Sequence, residues 1–243
     1  MYILALETTG RNGSAAVIDE AGVCVSSSSS EEMNHLKDII TLTDECLRKR
    51  SISTSELTHI AASIGPGSFT GIRIGVTTAR AMAQVLGLPC VSVRTLESMA
   101  CAAVPYAKES GADQICTIIN ARRHQTYAAL WDAGASDDLE PQRQYMIEEM
   151  LDLVRARGGR TIFTGDGIDA YETIIRERLD GTDYLFAPEE IRYQSAASAA
   201  VIARRKVLAG EVLRYDELLP DYMRKSEAEM RLEAGTLSRK IRG

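Results

Sequence analysis

Residues 64–83, IGPGSFTGIRIGVTTARAMA, make two structural demands at once. Gly65, Pro66 and Gly67 follow an apolar run directly and supply turn chemistry: glycine reaches unusual φ values and proline fixes its own. Ser68 or Thr70 then caps a helix. On that helix Gly71, Gly75, Ala79 and Ala83 recur every four residues and form one smooth ridge. Each glycine costs roughly 1 kcal/mol relative to alanine, so two of them require a compensating close approach, and another helix is the usual partner. Ile72, Ile74, Val76, Met82, Val85 and Leu86 cover most of the remaining surface, and a helix apolar nearly all round is buried on more than one side. One side is expected against a sheet. The other faces either a helix predicted at 33–50 or another chain. Arg73, Thr77, Arg80 and Gln84 leave a single polar stripe, read either as a solvated edge or as cations pairing with carboxylates across an interface.

The rest of the chain supplies sheets for such a helix. YILALE (2–7), SAAVID and VCVSSSSS read as a three-strand meander broken by turns at Gly10–Gly13 and Glu20–Gly22. Leu36, Ile39, Ile40, Thr43, Cys46 and Leu47 follow the i, i+3, i+4, i+7 pattern of the 33–50 helix. Strand THIAASI precedes the glycine turn, and CVSV follows Pro89. A second unit opens near 104: ICTIIN and TYAALW form a hairpin around Arg122 and Arg123, followed by helix 147–157, strand 160–164, a Gly165-Asp166-Gly167 turn, helix 169–179 and an Ala-rich helix at 195–209. A charged helix is predicted at 225–234. Two successive units of this kind point to a duplicated α/β fold, with lobes at 1–103 and 104–243 and a 225–234 helix that can return to the first lobe. At 243 residues the chain is long enough for two compact lobes, and with 5% aromatic residues the core must be aliphatic.

Other functions are constrained by what is missing. No GK[ST] follows the glycine turn and no GxGxxG occurs, so the turn reads as a strand-to-helix connection before an anion cradle. The net charge of −6 argues against a protein that grips nucleic acid alone. Arg122 and Arg123 on the hairpin tip, and Arg231, Arg239, Lys240 and Arg242 in the tail, read as solvated charge or as local contacts to nucleic-acid phosphates. The five cysteines, odd in number and without a CxxC pair, read as reduced thiols of a cytosolic protein. MYILALE has no basic n-region, and no 18-residue apolar window spans a membrane.

The GPGSFTGIRIG block closely resembles the bacterial TsaB family, also called YeaZ, and the likeness runs along nearly the whole chain. LALETTG resembles the family's N-terminal strand motif, His35-Leu36 its histidine-led helix, NARRHQTYAAL its DARRGEVY segment, TGDGIDAY its GDG turn, and LPDYMRKSEAE its C-terminal PxYLR signature. The resemblance implies a two-lobed duplicated ribonuclease H-like fold of the actin, Hsp70 and sugar kinase superfamily. It implies a subunit that works with TsaD, a catalytic paralogue, and the ATPase TsaE to place a threonylcarbamoyl group on the adenosine next to the anticodon of tRNA. It also implies a first-lobe helical interface used for the TsaD heterodimer and for a homodimer. On this chain that interface is expected at His35, Leu36, Ile39, Ile40, Gly71, Ile72, Gly75 and Ala79.

No residue is assigned a catalytic role. The paralogue's HxxxH metal pair falls on Thr95 and Met99 here, and His35, His59 and His124 are isolated, so no metal site and no cofactor are expected in the chain by itself. ATP enters only as a ligand of the complex, and tRNA is reached through the complex. The alternative reading is an ATP-binding enzyme, an ATPase or small-molecule kinase of the same superfamily, with Glu7, Thr8 and Thr9 in the first hairpin and Gly165, Asp166 and Gly167 lining an interlobe cleft. Two departures count against it: Glu7 stands where nucleotide-binding members carry aspartate, and Asn120 stands where the family has the aspartate of DARR.

Overall fold

The computed structural model describes residues 1–29 and 35–223; the expected 225–234 helix and the tail cations lie outside the described residues. In chain order the elements are β1 (Tyr2–Glu7), β2 (Ser14–Asp19), β3 (Cys24–Ser28), α1 (His35–Arg50), β4 (His59–Gly65), α2 (Phe69–Leu86), β5 (Cys90–Arg94) and α3 (Thr95–Ser110). Then come β6 (Gln114–Asn120), β7 (Gln125–Asp132), β8 (Asp138–Met146), α4 (Ile147–Arg157), β9 (Thr161–Thr164), α5 (Gly167–Arg178), β10 (Tyr184–Phe186), α6 (Glu189–Arg192) and α7 (Ala196–Leu208).

The strands form two five-stranded sheets, ordered β3-β2-β1-β4-β5 and β8-β7-β6-β9-β10. In each, an antiparallel meander is extended by two parallel strands. The repetition of both order and direction is the duplication expected from the sequence. Two stretches without a sequence signal fit at the edges of the second sheet: β8, which carries Pro141, and the three-residue β10. An edge strand tolerates a missing N–H and a charged surface.

Each sheet is covered on both faces. On the first, α1 and α2 bury Ile39, Leu42, Ile72 and Val76 against Leu4, Leu6 and Ile60. Its opposite face takes Ala196, Ala199 and Ile202 of α7 against Ile3, Ile18 and Val91. On the second sheet, α4 and α5 cover one face, and α3 covers the other with Leu96, Met99 and Ala103 against Ile115 and Trp131. The expected division after residue 103 therefore falls inside α3, which packs on the second sheet, while α7 from the later half packs on the first. A sheet buried on both faces needs a helix on each, and here the two halves of the sequence exchange them. The two exchanged helices touch, with Ser98 Oγ and Ser198 Oγ 2.9 Å apart.

After α7 the chain stays on the first lobe. Leu213 exchanges backbone hydrogen bonds with Cys90, the Asp221 N–H donates to Ile64 O at 2.8 Å, and Leu218 is fully buried in the core on the α1–α2 side of the first sheet. Burying one leucine contributes about 2 kcal/mol, so this strap is part of the lobe's core.

Candidate functional site

The glycine ridge of α2 has an occupant, and it is not a helix. A Cβ on Gly71 would stand 1.9 Å from Thr8 O, and one on Gly75 would stand 2.3 Å from Thr8 Oγ1. The turn after β1 presses directly on the helix backbone, and the Thr8 hydroxyl donates to Gly71 O at 2.7 Å. Ser68 caps the helix, accepting from the Gly71 N–H at 3.3 Å, and its own N–H donates to Thr9 O at 2.8 Å. Gly71, Ile72, Gly75 and Ala79 are consequently buried within the lobe. Their expected place in a partner interface is corrected, because the close approach their smallness permits is already used inside the chain. Ile39 is buried too, at 1% exposure.

What α1 and α2 show to solvent is a different set. Ile40 is 51% exposed on α1, and Val85 is 85% exposed at the end of α2. Thr70, Arg73, Thr77 and Gln84 are exposed along α2. The polar stripe expected from the sequence is therefore the outward face. At its N-terminal end Arg73 sits 4.1 Å over the Phe69 ring and donates to the Tyr222 hydroxyl at 3.0 Å. That joins the strap to the outer face of α2. Of the expected interface residues with described side chains, Ile40 alone is exposed; the side chains of His35 and Leu36 lie outside the described residues. Sequence reasoning left Val85 out of the expected interface; its exposure comes from its place in the last turn of α2.

The residues expected to line a nucleotide cleft are turned inward. Glu7, Thr8 and Thr9 are 0%, 0% and 2% exposed. Glu7 Oε1 accepts from the Thr9 N–H at 2.5 Å and from the Thr9 hydroxyl at 2.6 Å. Burial pushes the Glu7 carboxyl above its ordinary range, while the hydrogen bonds from Thr9 draw it back. Oε2 closes no hydrogen bond among the described residues, and neither does Ser63 Oγ beside it. Gly165 and Gly167 are smooth for a packing reason as well: a Cβ on Gly165 would meet Ile118 O at 1.9 Å, and Gly167 packs on Ile118. Asp166 Oδ1 accepts from the Asn120 N–H at 3.0 Å; burial raises its pKa, and the Asn120 N–H and nearby Arg11 lower it. The first of these groups is thus used up in internal bonds, which leaves Thr8 and Thr9 no hydroxyl to offer a phosphate without rearrangement.

One element ties the two turns together. Thr95, in the first turn of α3, donates to Thr9 Oγ1 at 3.3 Å. One helical turn on, Met99 Cε lies 2.9 Å from where a Cβ on Gly165 would stand. Both Thr95 and Met99 are fully buried. Among the described residues no three His, Cys, Asp or Glu side chains converge on a point. His59 Nδ1 lies 2.8 Å from Thr58 Oγ1, and His124 Nδ1 lies 3.1 Å from Glu148. All five cysteines are free; burial pushes Cys24 and Cys90 up to about 11, which keeps both thiols protonated and inert. No helix of the described residues is long and apolar enough to cross a membrane.

Comparison with known proteins agrees with this geometry. The family model for TsaD, described as tRNA N6-adenosine threonylcarbamoyltransferase, matches residues 28–232. The tRNA threonylcarbamoyladenosine biosynthesis protein TsaB of Bacillus subtilis (strain 168) is 26% identical over 231 residues, covering 94% of this chain and 96% of that protein. The TsaB protein of Escherichia coli (strain K12) is 25% identical over 235 residues, covering 96% and 98%. YeaZ from Pseudomonas aeruginosa has the same fold, with a TM-score of 0.73 at 22% identity over 91% of this chain and 99% of that one. The architecture is a duplicated, two-lobed one, with the same strand order in each sheet. With five-sixths of its length inside the family match, the chain belongs to the TsaD family, as one of its TsaB (YeaZ) members.

Proposed function

We propose that this chain is a non-catalytic subunit in tRNA threonylcarbamoyladenosine biosynthesis, binding a TsaD-type paralogue through the outer face of α1 and α2 and acting with TsaE in the cytoplasm. The observation that carries the reading is an apolar side chain left in solvent on each helix, Ile40 and Val85, in a lobe whose interior is otherwise closed. The non-catalytic part is supported by Thr95 and Met99: the positions matching the paralogue's metal pair carry no ligating nitrogen and are filled with core packing. In this reading the chain takes no metal or cofactor of its own, ATP belongs to the assembled complex, and a second copy of the chain competes for the same face.

The test is assembly. Ile40→Asp and Val85→Asp place a charge on the outer face without touching the core, so the variants should melt like the natural chain. Each should lose roughly tenfold to hundredfold in affinity for the paralogue, the equivalent of about 1.4–2.8 kcal/mol, read by size-exclusion chromatography with the TsaD-type protein of the same organism. Threonylcarbamoyl transfer to tRNA should fall in parallel. Intact assembly by both variants would sink the interface, and transfer by the chain alone, given the activated adenylate and tRNA, would sink the non-catalytic role.

A further inference from the structure

The β6–β7 turn runs against backbone preference. Arg122, Arg123 and His124 stand at φ +65°, +54° and +59°. These are three consecutive side-chain-bearing residues in the left-handed region, where Cβ crowds the following carbonyl. A hairpin of this kind is ordinarily closed with glycine or asparagine at such positions. Neighbouring elements hold the turn instead. Asn120 Oδ1 accepts from the Arg122 N–H at 2.8 Å, and the Tyr171 hydroxyl lies within hydrogen-bond reach of both Asn120 Oδ1 and Gln125 O. The Ile147 N–H donates to His124 O at 2.9 Å, and His124 pairs with Glu148.

The brace fixes the backbone and leaves the cations free. Arg122 and Arg123 are exposed, and no carboxylate of the described residues pairs with either. Nearby arginines of the same lobe are engaged: Arg143 with Glu149, Arg192 with Asp169. A further cation approaches from the other lobe, since Arg11 on the β1–β2 turn lies close enough to Asp166 to lower its pKa, and Asp166 itself holds the Asn120 N–H. Both hairpin turns therefore reach the same end of the molecule. In a chain of net charge −6, an anionic polymer can be met only locally. Two planar guanidiniums on a rigid turn are suited to phosphate oxygens, and phosphate contacts orient a nucleic acid without reading its sequence.

We propose that the β6–β7 turn is a contact for the phosphate backbone of RNA, with Arg122 and Arg123 each taking one phosphate. This deepens the tRNA-modification reading and rests on it for the polymer. The test uses one double variant with opposite effects on fold and function. Arg122→Gly/Arg123→Gly removes both cations and gives the left-handed positions the residue that suits them, so its melting temperature should be equal to or above that of the natural chain. Fluorescence anisotropy of labelled tRNA is followed with the chain alone and with the chain plus the TsaD-type paralogue. The variant should bind tenfold or more weakly, with the slope of log K against log salt reduced by about 1.8, at 0.9 for each lost phosphate contact. Arg122→Lys/Arg123→Lys should keep the slope. Unchanged affinity and slope in the glycine variant would overturn the proposal, as would no tRNA binding by the natural chain in either form. Displacement of the tRNA by millimolar ATP, lost in the same variant, would also overturn it by assigning the turn to a nucleotide. Failure of the two proteins to assemble would count against the partner reading alone, because the chain-only titration still reports on the turn.

Discussion

The β1–β2 turn and the β6–β7 turn occupy the same place in two sheets of the same strand order, yet they do opposite things. The first buries its opening residues Thr8 and Thr9, clamped by the helix of its own lobe, and exposes only its tip at Arg11 and Asn12; the second holds Arg122, Arg123 and His124 in solvent. The difference comes from where the following strand-to-helix turn lands. In the first lobe the glycines of α2 press on Thr8, at the turn itself. In the second, Gly165 and Gly167 press on Ile118, two residues before the end of β6, and the tip of the hairpin projects past the contact. A small shift in contact point along a strand separates a packed turn from a presented one.

The strongest way to break this comparison is at the clamp. Gly71→Ala sets a methyl 1.9 Å from a backbone carbonyl, and overpacking against an immovable neighbour should cost about 3 kcal/mol in urea unfolding. On an open helix the same change would stabilise by roughly 1 kcal/mol, so the sign alone decides. Gly75→Ala should cost less, about 2 kcal/mol, because it meets the Thr8 hydroxyl, an end of a side chain. Adding Thr8→Ala should recover most of that loss, and a double-mutant cycle with no coupling would remove Thr8 as the contact.

Glu7 sharpens the comparison through pH. Its folded pKa is raised above the ordinary 4.5 of a glutamate, chiefly by burial. The carboxyl is compatible with the fold while protonated, so its contribution is complete below pH 4.5 and is lost as pH rises through the raised value. Glu7→Gln keeps the Oε1 acceptor for Thr9 and removes the unsolvated charge. It should add about 1–3 kcal/mol at pH 8, the cost of an unsatisfied buried group, and nothing at pH 4; unfolding midpoints across that range would show the two curves converge. A variant less stable at pH 8 would mean that the charged form has a partner. The smallest effect belongs to the presented turn, where Arg122→Gly/Arg123→Gly should raise stability by about 1 kcal/mol through relief of left-handed strain, measured in the same urea series.

Most strands and outer helices were legible because they alternate or repeat with clear periods, and the duplication followed from their order. The glycine ridge was also legible as a demand for close approach. Periodicity identifies which face is smooth, though, and not what touches it: the expected neighbour is a helix of this or another chain, and the actual one is the buried turn at Thr8. α3 leaves no clear signal: four of its apolar residues are alanine, which mark no face, and Pro105 lies inside it. The expected boundary at 103 therefore cuts through an element that joins the two lobes. The contacts that define the site, Thr95 to Thr9 and Arg73 to Tyr222, join residues 86 and 149 positions apart, and no local pattern encodes them. The left-handed run at 122–124 was hidden because nothing in Arg-Arg-His asks for positive φ.

The exchange of α3 and α7 has a consequence for how the protein is made. The ribosome delivers every strand of the first sheet by Arg94, but the helix that seals its inner face ends only at Leu208. At 5–20 residues per second, the interval is on the order of ten seconds. During that time Ile3, Ile18 and Val91 have no cover of their own, and Leu218 has yet to close the other side. The half that is translated first is thus the half that matures last, and the nascent chain carries an open apolar sheet surface, a natural client for chaperones, until its C-terminal third emerges.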